Sequence, residues 1–212
     1  MFTKGGEFQA SAQIGNGLEL QSAYAITDHF GAMVNFSNIN STGFDPDHPD
    51  DFHRHRFFEG GIGYFQNRSD SFFEVFAGYG RGKGSSYDEY DFFGSQSAAV
   101  ATGRYNRYFV QPAFGLNKDA MNVAFVPRIS VVDFYEFATE TARAAVSAKA
   151  KCFLEPAVVG RANFAKNRLF ATFQLGASLG MSQDVYFERR TFQASAGLGF
   201  RIGGAKPLVS RL

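Results

Sequence analysis

The chain has 212 residues, with 21 Lys+Arg against 20 Asp+Glu and a net charge of +1 at pH 7. That near-neutral balance lacks the electrostatic footprint of a nucleic-acid binder, and a lone cysteine, Cys152, excludes an intrachain disulfide or a CxxC motif. With 26 Phe, 9 Tyr and 23 Gly but no Trp, the composition argues against a helical bundle, and no apolar run approaches the ~18 residues of a membrane helix.

A period of two, the mark of a strand with one apolar face, recurs in ten segments. The first carries Phe8, Ala10, Ala12 and Ile14 on one face and Gln9, Ser11 and Gln13 on the other. The second sets Leu18, Leu20, Tyr24 and Ile26 against Glu19, Gln21, Ala23 and Ala25. The third sets Ala32, Val34 and Phe36 against Met33, Asn35 and Ser37, and the fourth Phe58, Ile62 and Tyr64 against Glu59, Gly61 and Gly63. Phe73, Val75, Ala77 and Tyr79 alternate with Glu74, Phe76 and Gly78 in the fifth. Tyr108, Val110, Phe114 and Leu116 alternate with Arg107, Gln111 and Ala113 in the sixth, and Val123, Phe125, Ile129 and Val131 with Ala124, Arg128 and Ser130 in the seventh. The last three run through Leu154–Ala162, Leu169–Leu179 and Phe192–Phe200, with Glu155, Arg161, Gln174 and Gln193 on their polar faces.

The links alternate in length. Thr27–His29, Asn67–Asp70, Asn117–Asp119 and Lys166–Arg168 are tight polar turns. Asn40–Phe52, Gly84–Gly103, Ala138–Lys151 and Ser182–Glu188 are longer, and the short Gly15–Gly17 belongs with them by order. The helix-forming composition of Ala138–Lys151 predicts a short helix there. Pro112, Pro127 and Pro156 fall inside strands, and each is expected to mark a bulge.

The expected fold is therefore all-β: one domain over 1–212, a closed up-and-down antiparallel barrel over about 5–202, and a tail at 203–212. Short turns at one end and long loops at the other match a transmembrane barrel of a bacterial outer membrane. The polar face is Gly, Ser, Gln, Ala and Asn with few charges, and every Lys (4, 83, 118, 149, 151, 166 and 206) falls in an expected turn, loop or terminus. A soluble barrel would place Lys, Thr and Glu on its wet face. The bulky face is expected to meet lipid and the small polar face to line the lumen. No charged-then-apolar leader opens the chain, so a signal peptide is expected to have been removed or to lie outside it.

Several stretches carry a likeness. GLELQSAYAITDHFGAMVNFS (Gly17–Ser37), FEGGIGYF (Phe58–Phe65), FAGYGRG (Phe76–Gly82), RYFVQPAFG (Arg107–Gly115) and LEPA (Leu154–Ala157) resemble small, porin-like outer-membrane β-barrel proteins of the Bacteroidota. The resemblance spans roughly residues 5–202. It implies the outer membrane of a Gram-negative bacterium and no particular reaction.

Inward parity falls on Glu19, Glu59, Glu74 and Glu155, and on Arg107, Arg128 and Arg161. In a narrow lumen these are expected to pair, with Arg128 at the centre and Gln21, Gln111, Gln174 and Gln193 as hydrogen-bond partners. Phe57, Phe65, Phe72, Phe76 and Phe109 share that parity and are expected to fill volume, leaving a plugged polar lumen. Asp45, Asp47, Asp50, His53 and His55, with His48 and Asp51, crowd one segment. Such groups can bind a divalent cation, but no ligand pattern is complete, and a solvated acidic loop is the preferred reading. An outer-rim hydrolase would need His53, His55, Asp88, Asp91 and Asp133 to converge; no nucleophile signature accompanies them. GYGRGKG (Gly78–Gly84) lacks the phosphate-loop spacing and reads as glycine on a crowded inner face. The functional expectation is a non-enzymatic structural or interaction protein without cofactor, a subunit of a larger envelope complex. It would touch outer-membrane lipid and, through its long loops, other envelope proteins. A narrow transport pore is the alternative, an outer-membrane hydrolase a lesser one, and a soluble ligand-binding barrel a fourth.

Overall fold

A computed structural model describes residues 2–15, 17–42, 52–92, 95–118, 120–139, 150–181 and 192–203. Eleven antiparallel strands follow one another: β1 Phe8–Ile14, β2 Leu18–Ala25, β3 Phe30–Thr42, β4 Phe52–Asn67, β5 Ser71–Phe92, β6 Ser95–Asn117, β7 Met121–Thr139, β8 Lys151–Phe164, β9 Leu169–Ala177, β10 Leu179–Gly180 and β11 Phe192–Ile202. From β1 to β9 each pairs with its chain neighbour, β10 pairs with β8, β9 pairs with β11, and β11 returns to β1, which closes the sheet. β9 and β10 are two pieces of one stave, so the barrel has ten staves and runs up and down. There is no helix among the described residues; the helix expected within Ala138–Lys151 falls almost wholly outside them.

Closure is possible because alternation satisfies two surroundings at once. Ile62, Val110, Phe125, Phe173, Leu175 and Leu198 point out and are exposed, while Phe57, Phe65, Phe72, Phe76 and Phe109 point in and are buried. The outer apolar face ends abruptly on the long staves. Tyr79, Tyr108 and Val131 stand in one cross-strand row. The next outward row, Phe58, Arg81, Asn106 and Asp133, is already mixed.

The turns at Thr27–His29, Asn67–Asp70 and Lys166–Arg168, and the short link from β6 to β7, join staves at the end where β1 starts and β11 finishes. At the opposite end one expectation fails. Gly84–Gly103 is no loop: β5 and β6 pair continuously from Ser71↔Leu116 to Phe92↔Ser95. Glycine and serine are poor strand formers in isolation, but here each faces a partner backbone, and Lys83 sits mid-strand with its side chain outward and exposed. β3 and β4 likewise pair out to Thr42↔Phe52, which shortens the link expected at Asn40–Phe52.

The prolines behave differently from expectation as well. Pairing between β6 and β7 stops after Val110↔Ile129 and resumes at Phe114↔Phe125 in unchanged register. Pro112 and Pro127 thus face each other, and neither has an N–H to give, so the ladder bonds between them are missing without a bulge. Pro127 in turn faces Pro156. β8 pairs with β9 up to Ala157↔Gly176 and with β10 from Leu154↔Leu179, again in one register. The gap opposite Pro156 is what divides β9 from β10. The single register shift between β6 and β7 lies elsewhere, at Arg104/Tyr105.

Inward glycines on β5 make room for rings. A Cβ on Gly78 would lie 2.7 Å from Phe109 Cε1, and one on Gly80 would lie 2.6 Å from Phe57 Cζ. The GYGRGKG stretch is therefore a smooth wall against which aromatic side chains lie.

Candidate functional site

The lumen gathers most of the inward charge. Register brings Glu155 of β8 opposite Arg128 of β7, and Glu59 of β4 opposite Asn35 of β3. Arg128 Nη2 donates to Glu59 Oε2 at 2.5 Å, and Asn35 Nδ2 donates to Glu59 Oε1 at 2.9 Å. Both oxygens of a carboxylate whose side chain is only 2% exposed are thereby used. Arg128 Nε lies 4.0 Å from Glu155 Oε2. Glu155 also accepts from Arg107 Nη2 and, at 2.9 Å, from Ser130 Oγ. The result is an alternating chain, Glu59–Arg128–Glu155–Arg107, that reaches across the barrel. Its guanidinium groups lie on rings: Arg128 is 4.0 Å from the Phe109 centroid and Arg107 is 5.3 Å from that of Phe57. Alternation of sign and the hydrogen bonds to both carboxylates offset the cost of placing such charges away from bulk water.

A second cluster lies at the short-turn end. Arg161 Nη1 donates to Gln9 Oε1 at 2.5 Å and lies over the Phe170 ring at 4.6 Å. Gln9 donates on to Glu7, which Arg201 Nε approaches at 3.0 Å and the Thr3 amide at 2.9 Å. Glu7 is wholly buried. Glu74 accepts from the Phe2 amide at 3.1 Å. The Phe2 ring sits 5.1 Å from Phe65 in a buried group with Ala25, Phe76 and Phe109. The segment before β1 thus folds back into the barrel mouth.

Of the seven expected charges, four form the first chain and Arg161 and Glu74 belong to the second region. Glu19 lines the lumen with no hydrogen-bond or ion-pair partner among the described residues. Gln21, Gln111, Gln174 and Gln193 line it too, yet among the described residues none bonds a charged side chain; Gln9 fills that role instead. A cavity of about 460 Å³ remains in the lumen, so the inward side chains leave space that the sequence expectation of a filled interior did not include.

Glu7 and Arg201 escaped the sequence reading. Arg201 continues the parity of Gln193, Ser195, Gly197 and Gly199, so the signal was present one residue past the expected strand end. Glu7 precedes any alternation and gave none.

His53 and His55 both lie on β4 and line the lumen. His55 Nε2 is 2.5 Å from Tyr105 Oη, and the two rings stack at 5.9 Å. Asp45, Asp47 and Asp50, with His48 and Asp51, lie outside the described residues. No group of three or more His, Cys, Asp or Glu suited to a metal ion occurs among the described residues. The hydrolase grouping does not assemble there either. Asp133 lies between the inward Val132 and Phe134 on β7, on the outer face, opposite in sense to His53 and His55. The side chains of Asp88 and Asp91 are outside the description.

No protein-family model matches the chain, and no curated protein is similar to it.

Proposed function

We propose that this chain is a transmembrane β-barrel of a Gram-negative outer membrane, akin to the Bacteroidota proteins it resembles, with a structural or interaction role and no catalysis. One observation carries it: polarity is inverted relative to a soluble domain. Ion pairs and hydrogen-bonded carboxylates lie inside, and exposed Leu, Ile, Val and Phe cover the outside of nearly every stave. In water such a surface is far larger than the apolar patches that monomers tolerate; against hydrocarbon it is stabilising. The closed sheet leaves no unpaired edge to the lipid. The buried ring group around Phe2 and the crossed ion chain support a lumen that blocks solute flow, so its contact surfaces are its outer wall and its upper rim, where other envelope proteins would join it. The cavity of about 460 Å³ keeps a narrow pore as the second reading.

The test is extraction and gel mobility of the native protein. It should resist carbonate and urea, dissolve in detergent, and run as a compact band that shifts on boiling. Release into a carbonate supernatant would sink the membrane assignment. Planar bilayers should show no steady conductance; open channels of constant size would transfer the proposal to the pore.

A further inference from the structure

The long staves carry a basic row that the described chain balances at one end alone. Arg56 of β4 lies directly opposite Lys83 of β5, and Lys83 lies directly opposite Arg104 of β6. All three point outward and are exposed. Cross-strand neighbours stand about 5 Å apart, and like charges so placed repel. Arg104 is 3.3 Å from Glu136; Arg56 and Lys83 have no carboxylate partner among the described residues. A sheet gains nothing from setting Arg56 and Lys83 side by side unless a further anion lies across them.

Position says which anion. The row stands two outward steps above Gly60, Tyr79 and Tyr108, where the apolar face ends, and one step above Phe58 and Arg81. If the apolar face is in hydrocarbon, this row is at headgroup level. We infer that Arg56, Lys83 and Arg104 form a docking surface for the phosphate groups of anionic membrane lipids, held against the outer wall of β4–β6. This rests on the membrane reading and adds a lipid class to it. The planar guanidinium groups of Arg56 and Arg104 suit bidentate phosphate contacts, and Lys83 between them supplies a point charge. Each cation near an anionic surface is worth about fivefold in affinity; Glu136 offsets Arg104, so the net two charges give on the order of 25-fold.

The full chain, folded in neutral detergent, would be titrated with phosphatidylglycerol, with phosphatidylcholine and with inorganic phosphate, and retention read by native mass spectrometry. Phosphatidylglycerol should be held on the order of 25-fold more tightly than phosphatidylcholine, and inorganic phosphate should not displace it at equal concentration. R56Q/K83Q/R104Q should abolish the preference. Lys83→Gln alone should weaken it about fivefold, which keeps the test open if the triple variant misfolds. Equal retention of the two lipids, displacement by free phosphate, or a preference that survives the substitutions would overturn the docking surface. Insertion into pure phosphatidylcholine vesicles, read by the heat-shifted band, separates the two levels. Insertion without lipid preference removes only the basic row, and failure to insert in any vesicle removes the membrane reading with it.

Discussion

Arg128→Ala strikes the middle of the ion chain. The guanidinium has three neighbours to lose: Glu59 at 2.5 Å, Glu155 at 4.0 Å and the Phe109 ring at 4.0 Å. Glu155 keeps Arg107 and Ser130. Among the described residues Glu59 keeps only the Asn35 amide, and it stays almost fully buried. Leaving one partner of a buried pair behind costs roughly 3–5 kcal/mol, and the lost ring contact adds about 0.5–2 kcal/mol. The adjoining cavity lets water reach part of the site, which favours the lower end, about 3 kcal/mol. Urea unfolding of the barrel in detergent micelles measures this. A second substitution, Glu59→Gln, removes the stranded charge, so Arg128→Ala/Glu59→Gln should recover most of the loss. A single variant within about 1 kcal/mol of the parent, or a double variant less stable than Arg128→Ala, would show that the pair is solvated and the ion chain is not a dry network.

Phe173 is 43% exposed on the outer face of β9; Phe173→Arg should cost roughly 2–4 kcal/mol in a bilayer, measured by folding yield into vesicles, and an unchanged yield would mean that this face does not meet lipid. Gly80→Val puts a side chain where a Cβ already lies 2.6 Å from Phe57 and 2.7 Å from the Cβ of Glu59; a loss of about 1–3 kcal/mol in urea unfolding is expected, with Gly60→Val, whose Cβ would meet only Met33 O at 3.6 Å, as the tolerant control. Phe2→Ala empties the ring group at the short-turn end and should lower stability by about 3 kcal/mol; a neutral result in the same unfolding assay would detach the segment before β1 from the barrel.

The ten-stave barrel was legible because parity is a property of each segment alone. Gln9, Glu59, Arg128 and Arg161 could be placed inside from their immediate neighbours. Register is not such a property. Nothing within Gly84–Gly103 says that its two halves pair residue for residue, since Gly, Ser and Ala favour a strand only once a partner backbone is present. The prolines illustrate the same limit. Each one alone suggests a bulge, and only alignment across β6, β7 and β8 reveals a row of three that removes ladder bonds and leaves the register intact. The ion chain was readable as a set of charges. Which Glu meets which Arg depends on cross-strand offsets, and the role of Gln9 over Gln21 or Gln111 follows from the segment before β1 folding back beside it.

The staves differ greatly in length. β1 has 7 residues and β2 has 8, while β5 has 22 and β6 has 23. At ~3.4 Å per residue the longest span about 75 Å and the shortest about 25 Å. A cylinder of equal staves looks alike from every compass bearing. This one has a tall flank and a low one, so its azimuth is defined. If the barrel sits in a membrane, a neighbour gliding in the same plane would meet a high parapet on the β5–β6 side and a notch on the β1–β2 side. Side-by-side assembly would therefore be polar about the barrel axis, with one bearing screened by backbone and the opposite one open to whatever reaches over the low sill.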